Sequence, residues 1–295
     1  MNGAALTWRA LWDDTATRVG NRQQARWLCE EASGAFGNEF HDVLDEGPTD
    51  RMLAHLDAML ARLSTGEPLQ YVLGRWSFRH LDLMVDRRVL IPRPETEALA
   101  GLAIDRARAA SEAHGGGRRM VTCVDLGTGS GALGLSLAFE LPRGAAEVWL
   151  TDASADALDV ARANAAGLGI AGAGVRFAHG HWFDALPAHL NGEVDVLVSN
   201  PPYVADGDPE VEPVVRDWEP SIAVYSGTEG LEAHRTIAGG ARQWLRPGGW
   251  LLVEIGSRQG QVVADLFRAA GLDDVEVHRD LAGLDRIVAG RATGW

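Results

Sequence analysis

Val121-Thr122-Cys123-Val124-Asp125-Leu126-Gly127-Thr128-Gly129-Ser130-Gly131 decides the reading of this chain, because a β-branched apolar run ends abruptly in three glycines at alternate positions. The run predicts a buried strand over 121–126, and the apolar residues after the glycines predict a helix over 132–139. A glycine-rich turn between the two lets the backbone approach a ligand at a helix N-terminus, where unpaired N–H groups gather. Gly129, Gly131 and Gly134 also spell G-x-G-x-x-G, a nucleotide-cradle pattern that is weak when it stands alone. Downstream, a strand over 147–151 and a helix over 155–166 repeat the unit, and further strands are expected at 175–178, 194–199, 250–255, 275–277 and 286–288. Strand and helix in turn imply parallel βαβ units and an α/β, doubly wound, Rossmann-like sheet. Asp152 ends the second strand, where a carboxylate can accept hydrogen bonds from ribose hydroxyls.

Upstream of the loop the pattern changes. Apolar positions from Ala4 to about Ser64 recur at helical spacing, with punctuation at Gly20-Asn21, Ser33-Gly34 and Gly47-Pro48-Thr49-Asp50, so Thr49 or Asp50 is expected to cap the last helix. Alternating segments at 76–78 and 81–85 suggest a connecting β-hairpin that leads to Ile91-Pro92-Arg93-Pro94, where Pro94 is suited to begin a helix. A polar, Gly-rich stretch at 113–119 follows that helix. The domains expected are a small helical one with the hairpin over 1–85 and the α/β domain over 86–295, in keeping with a prior of about two domains for 295 residues.

Composition removes several classes of activity. All 27 basic side chains are Arg and none is Lys, which excludes a Lys Schiff base, the Lys-dependent P-loop and the protein-kinase ATP site. A net charge of −14 argues against a surface built to cover nucleic-acid phosphate, and residues 1–85 carry 8 Arg against 12 acids, so the helical part is no basic arm. No direct nucleic-acid partner is therefore expected. Cys29 and Cys123 form no disulfide framework or zinc spacing, and no run of 18 apolar residues spans a bilayer. Arg9, Asp13 and Asp14 interrupt the N-terminal apolar residues, unlike a signal peptide. The expectation is a cytoplasmic protein without a membrane partner. His179 and His181 alternate on one strand, but no third ligand is evident, and no metal site is expected.

The strand over 194–199 runs straight into Asn200-Pro201-Pro202-Tyr203. A loop leaving this strand is placed to meet a ligand bound after the first strand, because open α/β sheets bind beyond the carboxyl ends of their strands. Two prolines fix φ and remove two N–H donors, leaving carbonyls free. The Asn200 side-chain oxygen and the Pro201 carbonyl then offer two acceptors to one planar –NH2, with the Tyr203 ring against its π face. This grip suits methylation of an amide or aromatic amine nitrogen, whose delocalised lone pair must be aimed at an electrophilic methyl group.

The Asp125-x-Gly127-x-Gly129-x-Gly131 loop resembles that of S-adenosylmethionine-dependent methyltransferases, in which an acid before the glycines suits the cofactor's ammonium. Nearly the whole chain is similar to bacterial protein-(glutamine-N5) methyltransferases acting on class I peptide chain release factors. The likeness is carried by Gly66-Glu67-Pro68, Leu90-Ile91-Pro92-Arg93-Pro94-Glu95-Thr96-Glu97, Asn200-Pro201-Pro202-Tyr203, Val215-Arg216-Asp217-Trp218-Glu219-Pro220, Leu252-Val253-Glu254-Ile255-Gly256 and Arg279-Asp280-Leu281-Ala282-Gly283-Leu284-Asp285-Arg286. The resemblance implies a class I methyltransferase fold, S-adenosyl-L-methionine as cofactor, and methylation of the Gln in the release factor's Gly-Gly-Gln motif, with the helical domain and hairpin recognising the protein substrate. It also implies cofactor contacts from Gly127, Thr128, Gly129, Ser130, Gly131, Asp152, Trp182 and Asn200, a substrate amide held by Asn200, Pro201, Pro202 and Tyr203, and catalysis by Asn200, Pro201 and Tyr203. His181 stands where relatives often have Asp. Trp182 and Phe183 are candidates to stack on adenine, while Arg93, Glu95 and Glu97 either face the cleft or begin a helix. The Asn-Pro-Pro-Tyr tetrad is shared with nucleic-acid adenine-N6 methyltransferases, which are the alternative reading, and a non-catalytic cofactor-binding protein is a third.

Overall fold

The computed structural model describes residues 6–115 and 119–293, so the Gly-rich residues 116–118 and both extreme termini lie outside it. The chain divides into two compact units, Met1–Arg75 and Trp76–Trp295. The first contains α1 (Trp8–Val19), α2 (Arg22–Ser33), α3 (Asn38–Asp42), α4 (Asp50–Ser64) and α5 (Leu69–Leu73). Three helices begin at side-chain caps: Thr7 accepts from the Ala10 N–H, Asn21 from Gln23 and Gln24, and Thr49 from Met52. Each cap satisfies N–H groups that the first turn leaves without a partner. Phe40 lies at the centre of the unit, met edge-on by Trp8 and Trp12 and surrounded by Leu28, Leu56 and Met59. The short α5 is not apparent in the sequence pattern. It is fastened by Arg62, which forks onto the buried Glu67 at 2.7 and 3.0 Å and also donates to the Tyr71 and Val72 carbonyls.

The second unit opens with the hairpin β1 (Arg75–Phe78) and β2 (Leu81–Met84). The hairpin was expected to travel with the helical part. Instead Phe78, Leu81 and Leu83 enter the larger unit's core, and Arg79 pairs with Glu140 at 2.6 Å, so the compact unit begins at Trp76. There follow α6 (Thr96–Ala113), β3 (Val121–Leu126), α7 (Ala132–Glu140), β4 (Ala146–Asp152), α8 (Ala155–Gly167), β5 (Arg176–His179), β6 (Val194–Ser199), α9 (Pro213–Trp218), α10 (Glu232–Trp244), β7 (Leu245–Glu254), α11 (Gly260–Ala269), β8 (Asp273–Arg279) and β9 (Asp285–Arg291). Pro94 does not itself begin α6. It sits in a turn in which Thr96 and Glu97 donate to the carbonyls of Arg93 and Pro94, and the helix starts two residues later.

The sheet order is β5-β4-β3-β6-β7-β9-β8. The chain winds outward from β3 through β4 to β5, then returns to place β6 on the other side of β3, and this reversal is the topological switch point. The five strands from β5 to β7 are parallel, while β9 runs antiparallel to both β7 and β8. Side chains alternate across the sheet as the two-residue strand period requires. Cys123, Val196, Val198 and Leu252 face α6 and α7, whereas Val124, Leu126, Leu197, Leu251 and Val253 face α10 and α11. Both faces are covered, which is why β3 and β6 are buried along their whole length.

Gly134 lets α7 lie directly on β4. A Cβ there would stand 2.4 Å from Leu150 Cδ1 and 3.1 Å from the Asp125 carboxylate. Gly134→Ala is expected to lower the urea-unfolding free energy by about 1–3 kcal/mol, the usual cost of overpacking. Unchanged stability would show that the helix slides off the sheet without penalty.

Candidate active site

The parity that sends Cys123 toward α7 also sends Asp125 there. The carboxylate is fully buried, its Oδ2 accepting from the Thr128 hydroxyl at 2.6 Å and from the Gly134 N–H at 2.9 Å. It braces the glycine loop from beneath and is not part of the cavity wall. Strand alternation turns this acid under the loop. Gly131, expected among the cofactor contacts, is likewise buried, packed against Leu135 and Leu150, and is absent from the wall.

Gly127, Thr128, Gly129 and Ser130 do line a cavity of about 330 Å³, a size typical of small-molecule sites. Gly129, at φ +56, turns its N–H onto Asp152 Oδ2 at 2.9 Å. Asp152 Oδ1 accepts from the Ser154 N–H at 2.8 Å, so the end of β4 and the loop after β3 are tied through one carboxylate on the cavity wall. Burial raises the Asp152 pKa, against the pull of these backbone N–H groups. Trp182 has φ +44 and lays its indole on Gly127, where a Cβ would sit 3.6 Å from the ring. A bare glycine therefore forms the floor beneath the aromatic wall. Trp182 and His181 both border the cavity. Phe183 does not: it stacks on Trp244 at 6.1 Å and fills the space over Gly240, so it packs against α10 as a partly buried residue at the edge of the core. Among the described residues no cluster of His, Cys, Asp and Glu is suited to hold a metal, and His179 instead contacts the Ala153 carbonyl at 3.0 Å.

The tetrad leaves β6 beside this cavity, because β6 pairs with β3 and the Ser199 hydroxyl donates to the Leu126 carbonyl at 2.6 Å. Asn200 and Pro202 border the first cavity. Asn200, Pro201 and Tyr203 also border a second, of about 260 Å³, so the two spaces adjoin at Asn200. The Asn200 Nδ2 donates to Thr96 Oγ1 at 3.2 Å, Thr96 donates to Glu254 Oε2 at 2.6 Å, and the Tyr203 hydroxyl donates to Glu254 Oε1 at 3.3 Å. Gln259 completes the support: its Nε2 donates to the Tyr203 carbonyl at 3.0 Å while its Oε1 accepts from the Gly256 N–H. Burial holds the Tyr203 phenol above its ordinary pKa, so it stays protonated near neutrality. Arg93 borders the second cavity and pairs with Glu219 at 2.5 Å, and Glu219 also accepts from the Ile91 N–H. Glu97 turns away, accepting from the Arg79 N–H at the hairpin.

Thr96, Glu254 and Gln259 received no role from the sequence. A signal was present for Glu254: it is the one acid in an otherwise apolar strand end, Leu251-Leu252-Val253-Glu254-Ile255, and such breaks in pattern mark functional positions.

A family model described as "Methyltransferase small domain" matches residues 116–216, and one described as "PrmC N-terminal domain" matches residues 18–74. A solved methyltransferase from Pyrococcus furiosus, 16% identical, matches with a TM-score of 0.50 over 81% of this chain and all of that one, a likeness of fold. The fold and its loops are those of a class I methyltransferase, a class whose methyl donor is S-adenosylmethionine. A release factor glutamine methyltransferase of Xylella fastidiosa is 43% identical over 81% of each chain, and one of Geobacter sulfurreducens is 35% identical over 92% of this chain and 89% of its own. The chain belongs to the release factor glutamine methyltransferase family.

Two buried acids give the site a pH signature. Burial pushes Asp125 and Glu254 each up to about 7, whereas an unfolded chain ionises them near 4. The folded state thus holds more protons between those limits, and stability is greatest at the acid end and falls as pH rises through about 7. Unfolding free energy is expected to fall from roughly pH 5 to pH 8, by at most about 1.4 kcal/mol per pH unit for each group. Urea melts across that range check this: the slope should be shallower in Asp125→Asn, and an unaltered slope would remove Asp125 as its source.

Proposed function

We propose that the chain methylates the side-chain nitrogen of the Gln in the Gly-Gly-Gln motif of class I peptide chain release factors. The observation that carries this reading is the meeting of two cavities at Asn200, one walled by the glycine loop, Asp152 and Trp182, the other by Pro201 and Tyr203. The residues of the first fit S-adenosylmethionine: Asp152 for ribose hydroxyls, the Trp182 ring for adenine, and Gly127 to Ser130 for close backbone approach. When bound, that cofactor supplies an electrophilic methyl group on sulfur, which keeps the electron pair of the broken C–S bond.

The chain's own part is to orient the acceptor. With Asn200 Nδ2 engaged by Thr96, Oδ1 is left to accept one N–H of the substrate amide, and the Pro201 carbonyl accepts the other. The amide plane is then fixed and its nitrogen lone pair directed at the methyl carbon, an alignment that can supply several kcal/mol of the barrier. As the N–C bond forms, the nitrogen becomes acidic and releases one proton to solvent water, and Tyr203, already protonated, is not required to take it. Family membership favours this substrate over a nucleic-acid adenine. The helical unit, matched by the PrmC N-terminal domain, is assigned to recognition of the protein substrate, and the site of action to the cytoplasm, where release factors work.

Incubation with radiolabelled S-adenosylmethionine and a purified release factor tests the reading. Label is expected on the native protein and not on its Gln→Ala form. Asn200→Ala enzyme is expected to lose roughly 10²-fold or more in kcat, with a much smaller change in donor Kd. Equal labelling of the Gln→Ala protein, or preferential labelling of DNA, overturns the substrate.

A further inference from the structure

We infer that Thr96 and Glu254 are positioning residues that set the polarity of the Asn200 amide and hold Tyr203 in the same grip. The inference rests on the role given to Asn200 above. Its physical basis is a chain of hydrogen bonds that has only one consistent direction when Glu254 is ionised. Glu254, ionised, is an acceptor at both oxygens. The Thr96 hydroxyl has one proton and gives it to Glu254 Oε2 at 2.6 Å, so toward Asn200 it can only accept. Asn200 must then present Nδ2 to Thr96, at 3.2 Å, and Oδ1 to the cavity. A carboxamide turned by 180° would set Oδ1 against the Thr96 lone pairs and aim Nδ2 at the substrate –NH2, donor against donor.

The other Glu254 oxygen takes the Tyr203 proton at 3.3 Å. One carboxylate therefore governs both ends of the tetrad. The groups facing it are Thr96 from α6, the Tyr203 phenol, Glu95 and Arg286, and the His234 ring contacts its backbone carbonyl at 2.9 Å. Glu254 is 2% exposed in a strand whose neighbours are apolar. Packing alone would be better served there by a hydrocarbon, since a buried carboxylate costs desolvation that only its partners offset.

Glu254→Gln leaves one acceptor and one donor, so one of the two hydroxyls must reverse. Thr96→Val removes the relay while keeping the side chain's shape, and Thr96→Ser retains the hydroxyl. The test measures kcat, KM for the release factor, donor Kd and melting temperature at about pH 8.5, where Glu254 is ionised. Thr96→Val and Glu254→Gln are each expected to lose roughly 10- to 100-fold in kcat, with KM and donor Kd within about 3-fold of wild type. Thr96→Ser is expected to recover turnover, and Thr96→Val is expected to cost nothing further in an Asn200→Ala background. Full turnover by Thr96→Val beside an inactive Asn200→Ala overturns this inference alone. So does a Thr96→Val loss that follows melting temperature and is not recovered by serine. Wild-type turnover by Asn200→Ala instead overturns the underlying reading, and this inference with it.

Discussion

β3 and β6 lie side by side because the chain reverses its winding after β5, and everything chemical in this molecule depends on that adjacency. Each strand ends in a loop shaped by its backbone: alternate glycines after β3, two prolines after β6. Had the two strands been separated by another, the loops would stand one strand spacing further apart, about 4.8 Å, beyond the reach of a single methyl transfer. The Ser199 hydroxyl on the Leu126 carbonyl pins the two strand ends at the point where the loops diverge.

Acids at strand ends hold the loops in place. Asp125, Asp152 and Glu254 lie at or next to the carboxyl ends of β3, β4 and β7, and each is buried or nearly so. All three have raised pKa values because burial disfavours charge. What offsets that cost is a set of directed donors: Thr128 and Gly134, Gly129 and Ser154, Thr96 and Tyr203. In Asp152 and Glu254 both oxygens are engaged, whereas the two donors to Asp125 share Oδ2; such charge-assisted bonds fix orientation more firmly than an apolar contact, since they specify angle as well as distance. The arrangement exchanges stability for a fixed geometry where the loops meet.

How far the sequence disclosed this follows from which interactions are local. β3 and β6 are fully buried parallel strands, so their predominantly apolar, β-branched runs were readable to the residue even though Thr122, Asp125, Asp195 and Ser199 interrupt them. β8 has exposed positions along most of its length, and nothing in its pattern reveals that it pairs with β9 in the antiparallel sense. Trp182 and Phe183 are adjacent aromatics with opposite fates, separated by a backbone turn at φ +44 that no residue-type preference announces. Asp125 looked available because it precedes a ligand loop, yet strand parity alone decides that it points beneath. Thr96 and Glu254 are 158 positions apart, and their bond is a property of the folded sheet, in which β7 places an even-numbered side chain on the α6 face.

Four of the segments that carry the family likeness, all in the larger unit, converge in space, and this convergence explains why they occur together. Residues 91–97 and 215–220 are joined by Arg93 and the Ile91 N–H on Glu219. Residues 91–97 and 252–256 are joined by Thr96 on Glu254, and the tetrad enters through Asn200 and Tyr203. Glu254 and Thr96 are therefore part of a single hydrogen-bonded body with the proline lip, and altering one member shifts the donors and acceptors of the rest. Such a network gives non-additive effects, because its members share partners. The rigidity of two prolines is useful only if the side chains on either side are oriented as well. In this chain that orientation comes from a buried acid on β7, the strand paired directly with β6, which makes β7 as much a part of the site as the proline loop itself.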